Sequence, residues 1–303
     1  MSILVVGSVA FDNVETPEGR RDRCLAGAAT YFSLAASYFT QVRVIGVVGE
    51  DFTAEDEAVF TKRGVDIRGL EHAPGKTFHW TGSYMKNLNE AQTLKTDLNV
   101  FETFSPQVPA FYQDSEFLFL ANIDPVLQAS VRKQMPKVRM VCGDTMNYWI
   151  TGHRDNLLKV LVGLDGLLIN DGEAKLLANE SNLVLAARKI LAMGPKTLIV
   201  KHGEYGSTAF FSEQPDKPFR APALPLDKIV DPTGAGDCFA GGFFGYLATQ
   251  KEITPKSFRN AMFYGGVMGS FAVERFGTER ILELTREEID QRFALFRELT
   301  HLD

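Results

Sequence analysis

Cysteine is scarce in this chain. Three occur in 303 residues, Cys24, Cys142 and Cys238, far apart and odd in number. With no C-x-x-C pair, and no H-E-x-x-H among five histidines, neither a disulfide framework nor a zinc cluster is suggested. The expected state is free, mostly buried thiols in a reducing cytoplasm. Long apolar runs are also missing: the longest uncharged ones, Cys238–Ala248 and Ala261–Val273, fall well short of the ~20 residues that span a bilayer. No basic leader precedes Ile3-Leu4-Val5-Val6, which reads as a first core strand rather than a signal peptide, so a soluble cytoplasmic protein is expected. Positive charge is not in excess either. With 32 Lys+Arg against 38 Asp+Glu, the net charge of −6 argues against general nucleic-acid or anionic-membrane binding.

What is present is globular: 45% hydrophobic and 23% charged residues. The length predicts one large unit over 1–303, with room for a small appendage. Short β-branched runs at Ile3–Val9, Val42–Val48, Phe117–Ala121, Val138–Cys142, Leu167–Asn170 and Thr197–Lys201 carry almost no internal polar residues. Strands of that kind are buried on both faces, as in a parallel sheet. Helical patterns fall at about Gly27–Phe39, Ala54–Arg63, Val126–Gln134, Ser181–Met193, Gly236–Thr249, Thr254–Ala272 and Arg286–Leu299. The alternation predicts an α/β fold, a doubly wound and mostly parallel sheet that binds ligands beyond its strand C-terminal ends.

One segment breaks the rhythm. From about Ile67 to Phe104 the pattern is strand-like: Phe78, Trp80 and Tyr84 share one face, Lys86–Glu90 suits a turn, and Leu94, Thr96, Leu98 and Val100 alternate on the return. So small a sheet needs something to cover. A lid over the active site and a hairpin packed on the core or on a second copy are equally open on this pattern.

The strongest chemical feature is Asp231-Pro232-Thr233-Gly234-Ala235-Gly236-Asp237, followed by Cys238-Phe239-Ala240-Gly241-Gly242. Three small residues in a row let backbone N–H groups approach a ligand, and the helix that then begins offers unsatisfied N–H groups suited to phosphate. A carboxylate there repels a phosphate. Asp237 is then either a helix-start carboxylate or a base that takes a proton from an attacking hydroxyl. Asn170 and Glu173, just past a strand, form a near-capping box. Lys201, Gly203 and Gly206 suit a tight turn, and Asp12 ends the first strand region with a carboxylate that can accept hydroxyl protons.

Taken together, the Asp231–Gly242 run, late in a chain of this length and pattern, resembles the signature of the ribokinase-like (PfkB) carbohydrate kinases. The resemblance covers nearly the whole chain and implies a set of roles. Asp237 would be the catalytic base, with Gly234, Ala235 and Gly236 forming the anion hole for the γ-phosphate of ATP. Asn170 and Glu173 would match the N-x-x-E motif that organises Mg²⁺ through water. Lys201, Gly203, Gly206 and Thr233 would face the nucleotide, and Asp231 with Thr233 a K⁺ site. Substrate would meet Asp12, Gly27, Trp80 and Asn122, under a β-lid drawn from about 67–104 with a contribution from 11–23.

Two positions depart from that pattern. Tyr31 stands where the family carries a sugar-binding Asn, so either the substrate differs or Tyr31 points into the core. Asp144-Thr145-Met146-Asn147 lacks the Arg that several relatives place nearby, which counts against an acidic sugar. The expectation is an ATP-dependent kinase of a small sugar, with a nucleoside or an inositol-like polyol as the alternative acceptor. An inactive sugar- or nucleotide-binding regulator is the non-enzyme alternative. A homodimer through the lid is a further expectation.

Overall fold

In the computed structural model, which describes residues 1–300, the chain begins β1 (Ser2–Val6), β2 (Ala10–Thr16), β3 (Gly19–Ala26), α1 (Ala28–Ala36), β4 (Gln41–Val48), α2 (Ala54–Thr61) and β5 (Asp66–His72). It continues through β6 (Phe78–Ser83), β7 (Gln92–Asp97), β8 (Phe117–Leu120), α3 (Pro125–Gln134), β9 (Met140–Gly143), α4 (Asn147–Gly152) and α5 (Arg154–Leu161). Then come β10 (Gly166–Asn170), α6 (Asp171–Ala178), α7 (Leu183–Leu191), β11 (Thr197–Lys201), β12 (Ser207–Phe211) and β13 (Phe219–Ala221). Four helices close it: α8 (Ala235–Leu247), α9 (Pro255–Ala272), α10 (Glu279–Glu283) and α11 (Arg286–Thr300). The last three residues of the expected 1–303 unit lie outside the described residues.

Among the described residues, nine strands form one sheet in the order β13-β12-β11-β10-β9-β8-β1-β4-β5. All its pairs are parallel except those of β12 with β11 and with β13. The apolar runs are continuous because the sheet has a core on each side. In β1, Ile3 and Val5 enter one core while Leu4 and Val6 enter the other, and in β8 Phe117 and Phe119 oppose Leu118 and Leu120 in the same way. The chain winds outward from β1 in both directions, to β4 and to β8, so the topological switch point lies there and its crevice opens at the strand C-terminal ends.

A second sheet of four strands, β3-β2-β6-β7, stands apart from the first. The segment 67–104 is therefore not all lid. Residues 66–72 are the edge strand β5, paired parallel with β4, because Tyr112 behind them supplies a hydroxyl that donates to the Asp66 carbonyl at 2.9 Å and accepts the Gly69 N–H at 3.1 Å. The return strand stops at Asp97, and Asn99–Thr103 form a 3₁₀ turn that buries Val100. In exchange, β2 and β3 supply half of the small sheet, with β2 running parallel to β6. Helix α5 has no counterpart in the sequence pattern; its eight residues bury Leu157, Val160 and Leu161, too short a period to register.

Candidate functional site

Five strand or helix ends converge at the crevice. Asn122 follows β8, Asp144 follows β9, Asn170 ends β10, Lys201 ends β11, and Asp237 lies in the first turn of α8. Asn170 and Lys201 are register partners on neighbouring strands.

The loop leading into α8 is built on a buried carboxylate. Asp231 is fully buried, and its two oxygens accept the N–H groups of Thr233 and Gly277, both at 2.9 Å. Gly234 caps the helix with φ +73°, where a β-carbon would run into the ring of Tyr31. The N–H of Ala235 donates to the Pro232 carbonyl at 3.2 Å, and that of Cys238 to Gly234 at 2.8 Å, which closes the turn. The Lys201 ammonium lies against Gly236, closer than a β-carbon there would allow. One cation thus stands over the small-residue loop.

Asp237 is half-buried at the start of α8. Burial pushes its carboxyl up to about 6; Lys201 pulls it down, Glu173 pushes it up, and a hydrogen bond with the Asp144 side chain pulls it down. Asp12 is also buried, and burial followed by the charges of Asp231 and Asp237 holds its carboxyl well above the usual range. Asp12 is the register partner of Trp80, so the two share a face of the lid sheet. The Trp80 ring lies over Gly82 and its Nε1–H donates to Thr93 Oγ1 at 3.2 Å.

Asn170 and Glu173 realise the capping box. Asn170 Oδ1 accepts the Glu173 N–H at 2.7 Å and Glu173 Oε2 accepts the Asn170 N–H at 2.8 Å. Burial raises the Glu173 carboxyl, with Lys201 opposing. Its second oxygen is left for a partner. No group of three or more His, Cys, Asp or Glu among the described residues is arranged to enclose a metal. The donor set fits a magnesium ion carried by phosphates and reached through water, not one caged by protein.

Other expected site residues are placed differently. Tyr31 is 2% exposed and packs under Gly234, so of its two expected outcomes the ring has taken the core. Gly27, at φ +102°, makes its close approach to the backbone of Ser8 and Ala10, where a side chain would collide. Gly206 packs in the same way on Ala221 and Pro222, and Gly203 on Asn89 of the lid turn. Asn122 Oδ1 accepts from Trp149 Nε1 at 2.9 Å, while its Nδ2 reaches Met146 Sδ at 3.2 Å. Sequence reasoning missed Trp149, Asn89 and the tie between the Tyr84 and Thr233 hydroxyls, 3.3 Å apart. It met Asp144 without a role; the signal was its place one residue beyond a central strand.

A doubly wound sheet with a small β-lid, and a half-buried carboxylate behind a Gly-Ala-Gly loop at a helix start, are the features of a phosphotransferase of the ribokinase-like class. The family model "pfkB family carbohydrate kinase" matches residues 3–284, and the chain belongs to that family of ATP-using kinases, which transfer phosphate to hydroxyl groups. A cytidine kinase of Thermococcus kodakarensis is 28% identical over 254 residues, covering 81% of this chain and 88% of that protein. An adenosine kinase of Schizophyllum commune is 27% identical over 254 residues, covering 75% and 74%. A Burkholderia thailandensis nucleoside kinase, solved in complex with inosine, superposes with a TM-score of 0.78 at 20% identity, over 97% of this chain and 98% of that one. Among the described residues no helix is long and apolar enough to cross a membrane.

Proposed function

We propose that the protein is an ATP-dependent nucleoside kinase. The observation that carries the reaction is Asp237: a half-buried carboxyl raised to about 6, in the first turn of a helix, with the Lys201 ammonium beside the preceding glycine. A base poised just below neutrality takes a hydroxyl proton with little penalty. Asp12 orients the acceptor by accepting a second hydroxyl. Asp237 takes the proton of the attacking hydroxyl, the freed oxygen forms a bond to the γ-phosphorus, and the bond to the β-phosphate bridging oxygen breaks to release ADP. Lys201 and the first-turn N–H groups of α8 offset the charge on the transferring group. Magnesium, when bound, supplies further neutralisation of the phosphates, and Glu173 and Asn170 are the residues that would hold its waters. Asp231 and Thr233 are the residues for a monovalent cation.

The acceptor class is supported by the cytidine- and adenosine-kinase relatives and by the rim of the crevice. Trp80 shares the face of Asp12 across the lid, and Trp149, Met146 and exposed Tyr148 gather with Asn122 beyond β8 and β9. Aromatic and thioether surfaces of this kind suit a flat base better than a bare sugar. The test is ADP release from Mg·ATP against cytidine, adenosine, inosine, ribose, fructose and myo-inositol. Release with one or more nucleosides, at least tenfold above the free sugars, supports the reading. Release with a free sugar alone overturns it.

A further inference from the structure

Phe11 and Asp12 are neighbours on β2 and point to opposite faces of the lid sheet. Asp12 looks into the crevice: its register partner Cys24 packs against Gly277, whose N–H donates to Asp231. Phe11 looks away, is 1% exposed, and meets the ring of Phe52 at 5.7 Å, on the loop that follows β4. Arg23, on β3, covers the same Phe11 ring, with its guanidinium 3.9 Å from the centroid. Its Nη2 donates to the Asp51 carbonyl at 2.9 Å and to Asp56 Oδ2 at 3.0 Å, and its Nη1 to Asp56 Oδ1 at 3.4 Å. Asp51 in turn accepts the N–H and the hydroxyl of Thr77, both at 2.7 Å, just ahead of β6. One cation thus fastens the back of the lid root to the loop and helix after β4.

The backbone at Arg23 is strained. Its φ of 52° lies in the left-handed region, which a long side chain seldom adopts. The strain comes with a bulge: the ladder pairs Asp12 with Cys24 and next Val14 with Arg21, so β3 carries one residue more than β2 between the two pairs. Asn13 sits opposite the extra residue. Its Oδ1 accepts the Arg23 N–H at 2.8 Å, and its Nδ2 donates to Thr81 Oγ1 on β6 at 3.4 Å. Bulges re-aim the side chains beside them, and the one beside this bulge is Asp12. An ion pair as exposed as Arg23–Asp56 adds little to folding, so stability alone gives no reason to hold a strained arginine here. We propose that Arg23 is a positioning residue: clamped over Phe11, it fixes β2 so that the Asp12 carboxyl meets the acceptor hydroxyl. It acts through Asp12 and not on the substrate itself. The inference rests on Asp12 holding the acceptor.

The test is initial-rate kinetics on Arg23→Gly, Asp12→Ala and the double variant, with the fastest acceptor among cytidine, adenosine, inosine, ribose, fructose and myo-inositol. Glycine takes the left-handed backbone without strain while the guanidinium contacts are lost, so the melting temperature is expected within about 3 °C of wild type. In Arg23→Gly, kcat/KM for the acceptor is expected to fall roughly tenfold, chiefly through KM, with the KM for ATP within about twofold. Asp12→Ala is expected to cost at least as much. Adding Arg23→Gly to it is expected to cost less than about twofold more, because the carboxyl that Arg23 positions is gone. Wild-type kcat/KM in Arg23→Gly overturns the proposal, as does full additivity of the two losses. Where the glycine variant fails to fold, Arg23→Met, which keeps the stem over Phe11 and removes the charge, is read in its place. If Asp12→Ala leaves kcat/KM unchanged, the acceptor role of Asp12 fails and this inference with it; if it is impaired while Arg23→Gly is not, only the Arg23 inference fails.

Discussion

Asn89, in the turn between β6 and β7, donates its Nδ2–H to Glu204 Oε2 at 2.7 Å. That bond joins the tip of the lid to the turn after β11. The Tyr84 and Thr233 hydroxyls, 3.3 Å apart, join the start of the same β6–β7 connection to the loop ahead of Asp237. The β6–β7 connection of the lid is thus tied to the main body at two points, the loop ahead of Asp237 and the turn at Gly203. An exposed bond of this kind contributes about 1 kcal/mol. Asn89→Ala is expected to raise the acceptor KM roughly three- to tenfold and to increase ADP release without acceptor, with kcat within about twofold. Initial-rate kinetics with and without acceptor check it; unchanged values would mean that the tie does not hold the lid.

Activity and stability respond to pH in opposite directions. With the Asp237 carboxyl raised to about 6, the base is ionised above that value, so kcat should be flat from about pH 7 upward and fall about tenfold per unit below 6. Stability runs the other way. Its folded pKa lies above the ordinary 3.8, so the folded state binds the proton more tightly, and stability from this group is lost as pH rises through 4 to 6. Asp237→Asn removes the half-buried anion and should raise Tm at pH 8 by a few degrees, with a smaller gain at pH 5. Thermal melts at both pH values test this, and a lower Tm at pH 8 would contradict it.

Tyr31→Phe separates a core residue from a ligand-binding one. The Tyr31 hydroxyl is buried without a partner, so its removal should leave the acceptor KM within about twofold and stability unchanged or about 1 kcal/mol higher. A rise in acceptor KM of tenfold would return Tyr31 to the substrate site.

Gly234→Ala acts on the same contact from the other side. A β-carbon at φ +73° meets the Tyr31 ring, so the variant should lose about 2 kcal/mol or more of stability and at least tenfold in kcat. Denaturant unfolding and kinetics report the two losses separately, and a wild-type kcat would argue against a fixed loop.

Much of this was legible in the chain because the signals are local. The apolar runs of β1, β8 and β10 carry no polar interruptions, and the Asp231–Asp237 loop spells out a close backbone approach ahead of a helix. The lid boundary was harder to read. The charged stretch Glu15–Asp22 hides the alternation of β2 and β3, while Asp66–His72 carries enough charge to resemble an exposed hairpin though it pairs with β4. Tyr31 was ambiguous because its fate depends on Gly234, which the fold alone brings against its ring. The Asn122–Trp149 and Asn89–Glu204 bonds join separate elements, and no spacing rule within one element reports them.

The central claim is that Asp237 is the base of a nucleoside phosphorylation, and ADP formation in wild type and Asp237→Asn tests it most directly. The account predicts nucleoside-dependent ADP release by the wild type and roughly a thousandfold lower rate in the variant, with ATP binding retained by calorimetry. Undiminished turnover in Asp237→Asn, with ATP bound as before, would contradict it.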